Sequence, residues 1–162
     1  MEITIRPYEE RDRQTFIDFG NDEENYLAGL DPLKQRRIFE KGFDGYTNWL
    51  FKQLEANDGI IFMAIDGDKT IGHIAGRMNP QSEEDQILSL PAKPAFVDDL
   101  YVMPEYRSQG VGAKLLKHAE DHFKSLGCDE ISLEAFAPNE RSLTFYDREG
   151  YSRQTTGFTK RL

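Results

Sequence analysis

The sequence predicts a mixed α/β domain with one central sheet of roughly six to seven strands and about four flanking helices. Three observations predict it. In "GIIFMAIDGDKTIGHIAGRM" two apolar runs flank a tight turn, as in a β-hairpin. In "AFVDDLYVMPEYRSQGVGAKLL" an extended segment passes through a glycine-bearing loop into apolar residues at helical spacing. Strand-like and helix-like segments follow one another with no internal repeat or low-complexity linker, so residues 1–162 are expected to form one domain.

The elements follow in order. "ITIR" alternates and is the first strand. "EERDRQTFIDFG" places Phe16, Ile17 and Phe19 at helical spacing, with Gly20 as the stop. Residues 21–32 read as a polar loop. Residues 33–56 read as mostly helical, broken near Gly42 or Gly45, with Trp49, Leu50 and Leu54 facing inward. The hairpin follows, with His73 in its second strand, where a lone histidine is ordinarily structural. Residues 79–94 form an acidic, proline-bounded loop of a length associated with function or mobility. After the strand "AFVDDLYV", residues Val111, Leu115, Ala119, His122, Phe123 and Leu126 make one helical stripe, closed by Gly127. "EISLEAFA" is a strand and "NERSLTFYDREG" a short helix, capped by Asn139 and ended by Gly150. "YSRQTTGFTKRL" supplies one or two closing strands.

A chain of 162 residues can bury a real core, and 38% hydrophobic with 12% aromatic content points to folding rather than disorder. The net charge of −9 argues against general nucleic-acid or anionic-membrane binding, and it suits a cationic partner. A lone cysteine, Cys128, excludes an internal disulfide framework and fits a reducing, cytoplasmic setting. Its place between a helix end and a strand is that of a structural thiol. No apolar run reaches membrane-spanning length, and "MEITIRPYEE" has none of the features of a signal peptide. No metal site is expected.

The loop "PEYRSQGVG" carries Gly110 and Gly112 directly before a helix. Helix N-termini present unpaired N–H groups and the positive end of the helix dipole, and glycines let an anion approach them. The chemistry points to a phosphate or pyrophosphate cradle. The dinucleotide fingerprint fails, because its third glycine position is Leu115. The P-loop pattern fails as well, because Gly112 follows Gly110 too closely and Lys114 precedes Leu115. A tight turn without a ligand is the plain alternative.

On these residues the chain resembles the GCN5-related N-acetyltransferases, the GNAT superfamily. Arg107, Ser108, Gln109, Gly110, Val111 and Gly112 fit the motif Q/R-x-x-G-x-G/A. "LEAFAPNERSLTFYDREGY" is similar to the family's second signature, an asparagine followed by a helix ending in Phe-Tyr. The two stretches cover residues 96–152. The resemblance implies a mostly antiparallel mixed sheet splayed at strand 95–102, and acetyl transfer from acetyl-CoA to an amine. It implies that Leu100, Tyr101 and Val102 pair with the pantetheine arm and that Ser108, Gln109, Gly110, Val111, Gly112, Ala113 and Lys114 surround the pyrophosphate, with Arg107 and Lys114 adding charge. Asn139 falls near the pantetheine arm, a role compatible with its capping role. A homodimer is also implied.

The chemistry demands a base for the attacking ammonium, a donor for the oxyanion and an acid for the leaving thiolate. Tyr146 matches the family's general acid, and its neighbour Phe145 is placed to enter the core while Tyr146 faces the cleft. The Val102 N–H is the expected oxyanion donor. For the base, "VDDLYVMPEYR" resembles the diamine and polyamine N-acetyltransferases, which maps the role to Asp98. Glu134 in "SLEAFAPN" resembles the base position of ribosomal-protein N-terminal acetyltransferases. Strand alternation sends Asp98 and Asp99 to opposite faces, with Asp99 bonded to a loop. The expected activity is acetylation of a small cationic amine by direct attack in a ternary complex. The rivals are peptide N-terminal acetylation and a non-catalytic CoA-binding sensor.

Overall fold

The computed structural model describes residues 2–39 and 44–162. Five strands form one sheet in the order β1 (Ile3–Pro7), β2 (Ile60–Asp66), β3 (Lys69–Met78), β4 (Pro94–Val102), β5 (Glu130–Leu133). The first three pairings are antiparallel, and β4 runs parallel to β5. The helices are α1 (Arg13–Leu30), α2 (Asp44–Ala56), α3 (Glu83–Leu88), α4 (Val111–Ser125) and α5 (Glu140–Arg148).

Two apolar clusters sandwich the sheet. On one face α4 contributes Val111, Leu115, Leu116, Ala119 and Phe123, which pack against Ala64, Ile71, Ile74, Ala95 and Val97. On the other face Phe16 of α1 and Leu50 and Leu54 of α2 close over Ala75. Burying side chains of this size contributes about 2 kcal/mol each, which makes these two layers the frame that holds the loops.

Several local expectations fail for reasons visible in the packing. Gly20 does not stop α1; the helix runs on to Leu30 because the buried stripe continues through Gly20 to Leu27 and Ala28. Residues 31–39 are not helical. The Asp31 carboxylate collects the backbone N–H groups of Leu33, Gln35 and Arg36, and the Asn25 side chain bonds both N and O of Phe39. These local bonds outcompete helix formation. The anticipated break near Gly42 lies outside the described residues, and Gly45 sits in the first turn of α2. Trp49 is 49% exposed rather than inward-facing, while Leu50 and Leu54 are buried. The expected loop 79–94 contains α3, whose start is closed by Ser82 and Asp85. Among the described residues the sheet has five strands, not six or seven. Residues 152–162 are all exposed and join no strand, because they offer a sheet little apolar surface to bury.

Candidate functional site

The site begins with the register of β4. Met103 N–H donates to Ile71 O, so in this antiparallel pair the directly bonded partners are Tyr101 and His73. The main-chain groups of Leu100 and Val102 therefore point away from β3. On that side β5 is already gone: β4 and β5 pair only from Pro94↔Glu130 to Val97↔Leu133. Strand β4 thus runs on to Val102 with an open outer edge, the splay expected of this strand.

A second irregularity acts on the acidic pair. Ala75 faces Asp99 and Gly76 faces Val97, which leaves Asp98 as the extra residue of a β-bulge. The bulge cancels the expected alternation. Asp98 lies 3.2 Å from the Nε of Arg77, and Asp99 Oδ2 lies 3.2 Å from His73 Nε2. Arg77, Ala75 and His73 share the α1–α2 face of β3, so both carboxylates point to that one face rather than to opposite ones.

Beyond Val102 the chain turns through Pro104–Tyr106, and Arg107 folds back so that its Nε donates to Val102 O at 2.8 Å. Ser108 and Gly110 take left-handed conformations, φ 60° and 80°. Gly110 is the N-cap of α4 and supplies no capping side chain, so the first-turn N–H groups of α4 have no side-chain cap. At Gly110 a Cβ would meet nothing within 4 Å, whereas at Gly112 it would lie 3.3 Å from Phe145 Cζ. One glycine thus serves the turn, and the other lets α4 and α5 close together.

These parts line a cleft of about 720 Å³. Leu100, Tyr101 and Val102 form one wall, with Arg107, Ser108, Gly110 and the first turn of α4 at one end. Phe145 and Tyr146 of α5 stand opposite, and Glu23 and Tyr26 reach in from α1. Arg107 and Arg141 both lie over the Tyr26 ring, 6.0 Å and 5.0 Å from its centroid. Burial and the charge of Arg141 lower the pKa of Arg107.

The remaining expected residues lie off the cleft lining. The Gln109 side chain donates to Glu105 O, Lys114 is exposed on α4, and Glu134 is exposed beyond the end of β5. Asn139 is buried as the N-cap of α5, accepting from Ser142 N–H and donating to Ser142 Oγ. Asp98 is buried against Arg77; burial raises its pKa to about 6 despite that cation, with Asp99 adding to the rise.

Sequence reasoning missed Glu23. Taking residues 21–32 as a loop hid it, although a helix through Phe19 and Leu27 puts a carboxylate in the middle of the apolar stripe. Burial, then the charge of Asp99 and a hydrogen bond to it, raise the Glu23 pKa well above that of an ordinary glutamate. For Asp99 burial alone would raise the pKa, but His73 together with hydrogen bonds from Glu23 and the Leu100 N–H pulls it below the usual value. The Tyr146 hydroxyl is held well above its usual pKa by burial first, then by the charges of Glu23 and Asp99. The hydroxyl of Tyr46 on α2 is raised by burial and by Asp99, Asp98, Glu24 and Glu23. Four carboxylates therefore gather where α1, α2 and β4 meet. Among the described residues no group of His, Cys, Asp and Glu forms a metal-binding cluster, and no helix is long and apolar enough to cross a membrane.

The chain matches the model of the Acetyltransferase (GNAT) family over residues 8–151. It is 30% identical over 129 residues to N-alpha-acetyltransferase 30 of Schizosaccharomyces pombe, covering 79% of each protein. A shorter match, 34% identical over 55 residues, joins 34% of this chain to 32% of the Bos taurus thialysine N-epsilon-acetyltransferase. Among solved structures the fold is similar to AAC(6')-Iy in complex with the bisubstrate analogue CoA-S-monomethyl-acetylneamine. That similarity has a TM-score of 0.71 over the whole of both chains, at 16% identity.

Proposed function

This chain belongs to the GNAT family of N-acetyltransferases, and from that premise we propose that it moves acetyl from acetyl-CoA to the primary amine of a small cationic substrate. The observation that carries the reading is the open outer edge of β4, which leads directly to the uncapped start of α4 within one cleft.

The residues present fit a CoA thioester. Leu100 and Val102 offer main-chain groups to the amides of a pantetheine arm, as an added strand would use them. The N–H groups of Val111, Gly112 and Ala113 face a pyrophosphate at the positive end of the helix dipole, and the Gly110 N-cap leaves the approach open. Arg107 and Arg141 supply cationic charge beside it. The Val102 N–H is the donor for the developing oxyanion, a contribution of about 3 kcal/mol by analogy with other oxyanion holes. Tyr146 gives its proton to the leaving sulfur, and its raised pKa keeps that proton in place at neutral pH.

Direct attack in a ternary complex follows from the thiol inventory. Cys128 packs half-buried against the α4 cluster, off the cleft lining, and burial raises its pKa. A thiol held protonated is a poor nucleophile. The carboxylates Glu23, Glu24, Asp98 and Asp99, whose charges all act on Tyr46, support a cationic acceptor.

Acetylation of a peptide N-terminus is a second reading, favoured by the similarity to the fission-yeast N-alpha-acetyltransferase. Isothermal titration with acetyl-CoA, followed by thiol release over a panel of diamines, amino sugars and short peptides, tests both. Turnover with diamines or amino sugars supports the main reading. Turnover with peptides alone replaces it with the second. Binding without thiol release from any acceptor makes the chain a CoA-binding sensor.

A further inference from the structure

We propose that Glu23 is the general base of this acetyl transfer, receiving the acceptor amine's proton and sharing it with Asp99, which is backed by the His73 imidazole. The inference rests on the acetyltransferase reading above and names the residue that this reading leaves open.

Geometry carries it. Glu23 is the acidic residue of α1 that lines the cleft, which Tyr146 lines as well, and its charge acts on the Tyr146 hydroxyl. Its carboxyl interacts with that of Asp99, and Asp99 Oδ2 in turn lies 3.2 Å from Nε2 of His73. His73 has no exposed surface; the rings of Phe16 and Phe19 lie 4.3 Å and 5.9 Å from it and Tyr101 6.2 Å. Neither of its ring nitrogens has a hydrogen-bond partner among the described residues, and Nε2 meets Asp99 only as a close contact. A fully buried imidazole aimed at a carboxylate pair is costly to keep for packing alone. The two bases that the sequence suggested sit elsewhere: Asp98 is held by Arg77, and Glu134 is exposed beyond β5.

The groups facing the pair come from every neighbouring element. Glu24 lies beside Glu23 on α1 but is bound to Arg36 at 2.8 Å. Tyr46 stands on α2, His73 on β3, and Asp98 and Tyr101 on β4, with the Tyr101 hydroxyl 3.3 Å from Asp22. Arg107 approaches from the loop after β4 and Tyr146 from α5. Two carboxylates in this buried setting bind one proton far more tightly than the other, and the upper step belongs to the pair. The upward direction of the Glu23 shift is the one a general base acting near neutral pH requires.

The protons balance. With both carboxylates ionised, the pair takes one proton from the ammonium and leaves a neutral amine. The amine nitrogen forms its bond to the acetyl carbon, and the carbon–sulfur bond breaks as Tyr146 protonates the sulfur. The new amide nitrogen returns a proton to Tyr146, and the proton held by the pair leaves to water. Each turnover releases one free thiol and one proton. The first transfer also prepares the later one, because a proton on the pair removes part of the negative charge that raises the Tyr146 pKa.

The test is the pH profile of kcat/KM from about pH 6 to pH 10, read by thiol release with an acceptor on which the wild type turns over. Glu23→Gln is expected to lower kcat at least about 100-fold and to abolish the acid limb, with acetyl-CoA affinity by titration unchanged. Asp99→Asn is expected to move that limb to lower pH. The limb is expected to persist in Asp98→Asn, whatever the effect on rate. A Glu23→Gln enzyme that keeps the wild-type limb and rate overturns the proposal, as does loss of the limb in Asp98→Asn alone. If Glu23→Gln does not fold, Glu23→Asp decides: a retained limb with lowered kcat supports the role, and an unchanged kcat overturns it. A wild type that binds acetyl-CoA yet releases thiol with no acceptor removes the acetyltransferase reading itself, a result distinct from any of these.

Discussion

Burial raises the pKa of both Tyr146 and Asp98, and each gives a separable measurement. Tyr146 is buried beside negative charge and lines the cleft. Tyr146→Phe keeps the ring and removes the transferable proton, so kcat is expected to fall about 100-fold or more while acetyl-CoA affinity stays put. Steady-state kinetics beside isothermal titration separates the two, and an unchanged kcat removes Tyr146 as the acid. Asp98 is protonated more readily in the folded chain than in the unfolded one, with a pKa of about 6 against 3.8. The folded state therefore binds more protons between those values, and the carboxylate's contribution to stability declines as pH rises through them. Relative to Asp98→Asn, the wild type is expected to lose about 3 kcal/mol between roughly pH 4 and pH 7, read from denaturant melts of both proteins. A constant difference across that range refutes the assignment.

At the scale of elements, the contact between α4 and α5 sets the width of the cleft. Gly112 is where they meet, since an added Cβ would stand 3.3 Å from Phe145 Cζ and 3.9 Å from Val102 Cγ2. Gly112→Ala gains up to about 1 kcal/mol of helix propensity and loses about 1–3 kcal/mol to overpacking. Thermal stability is thus expected to fall, by anything up to about 3 kcal/mol. Acetyl-CoA affinity is expected to drop about tenfold, because a strain of about 1.4 kcal/mol falls on the loop and the first turn that face the pyrophosphate. Titration and a thermal melt of the same variant check this; an unchanged affinity shows that the two helices yield elsewhere. The legibility of elements followed the range of their determinants. The hairpin, the α4 stripe and the glycine loop were readable because each is specified within about a dozen residues. The length of α1 and the irregular path of residues 31–39 were not, because packing of the buried stripe carries α1 past Gly20 and Asn25 reaches along the chain to the backbone of Phe39.

Over the whole molecule, a net charge of −9 surrounds a cleft that Arg107 and Arg141 line and that Glu23 enters from α1. Asp99 interacts with Glu23, whereas Asp98 is held by Arg77 and Glu24 by Arg36. On the proposed reading a cationic acceptor is drawn toward Glu23 through a field that salt screens within about 8–10 Å at 0.1–0.15 M ionic strength. The kcat/KM for a diamine is therefore expected to fall several-fold as ionic strength rises from about 0.02 to about 0.5 M, while that of an uncharged amine analogue changes little. Equal salt responses would show that this field does not recruit the acceptor. By itself the sequence determined the strand–loop–helix cradle with Gly110 at its turn, the helix that carries Tyr146 and the α/β class, since each is written in local period and turn chemistry. Only the tertiary structure decided that α1 runs past Gly20 to deliver Glu23, and that a bulge turns Asp98 and Asp99 to the same face. It also decided which carboxylate meets His73 and which meets Arg77. Those outcomes depend on register and packing between distant segments, where a shift of one residue exchanges the faces of a strand.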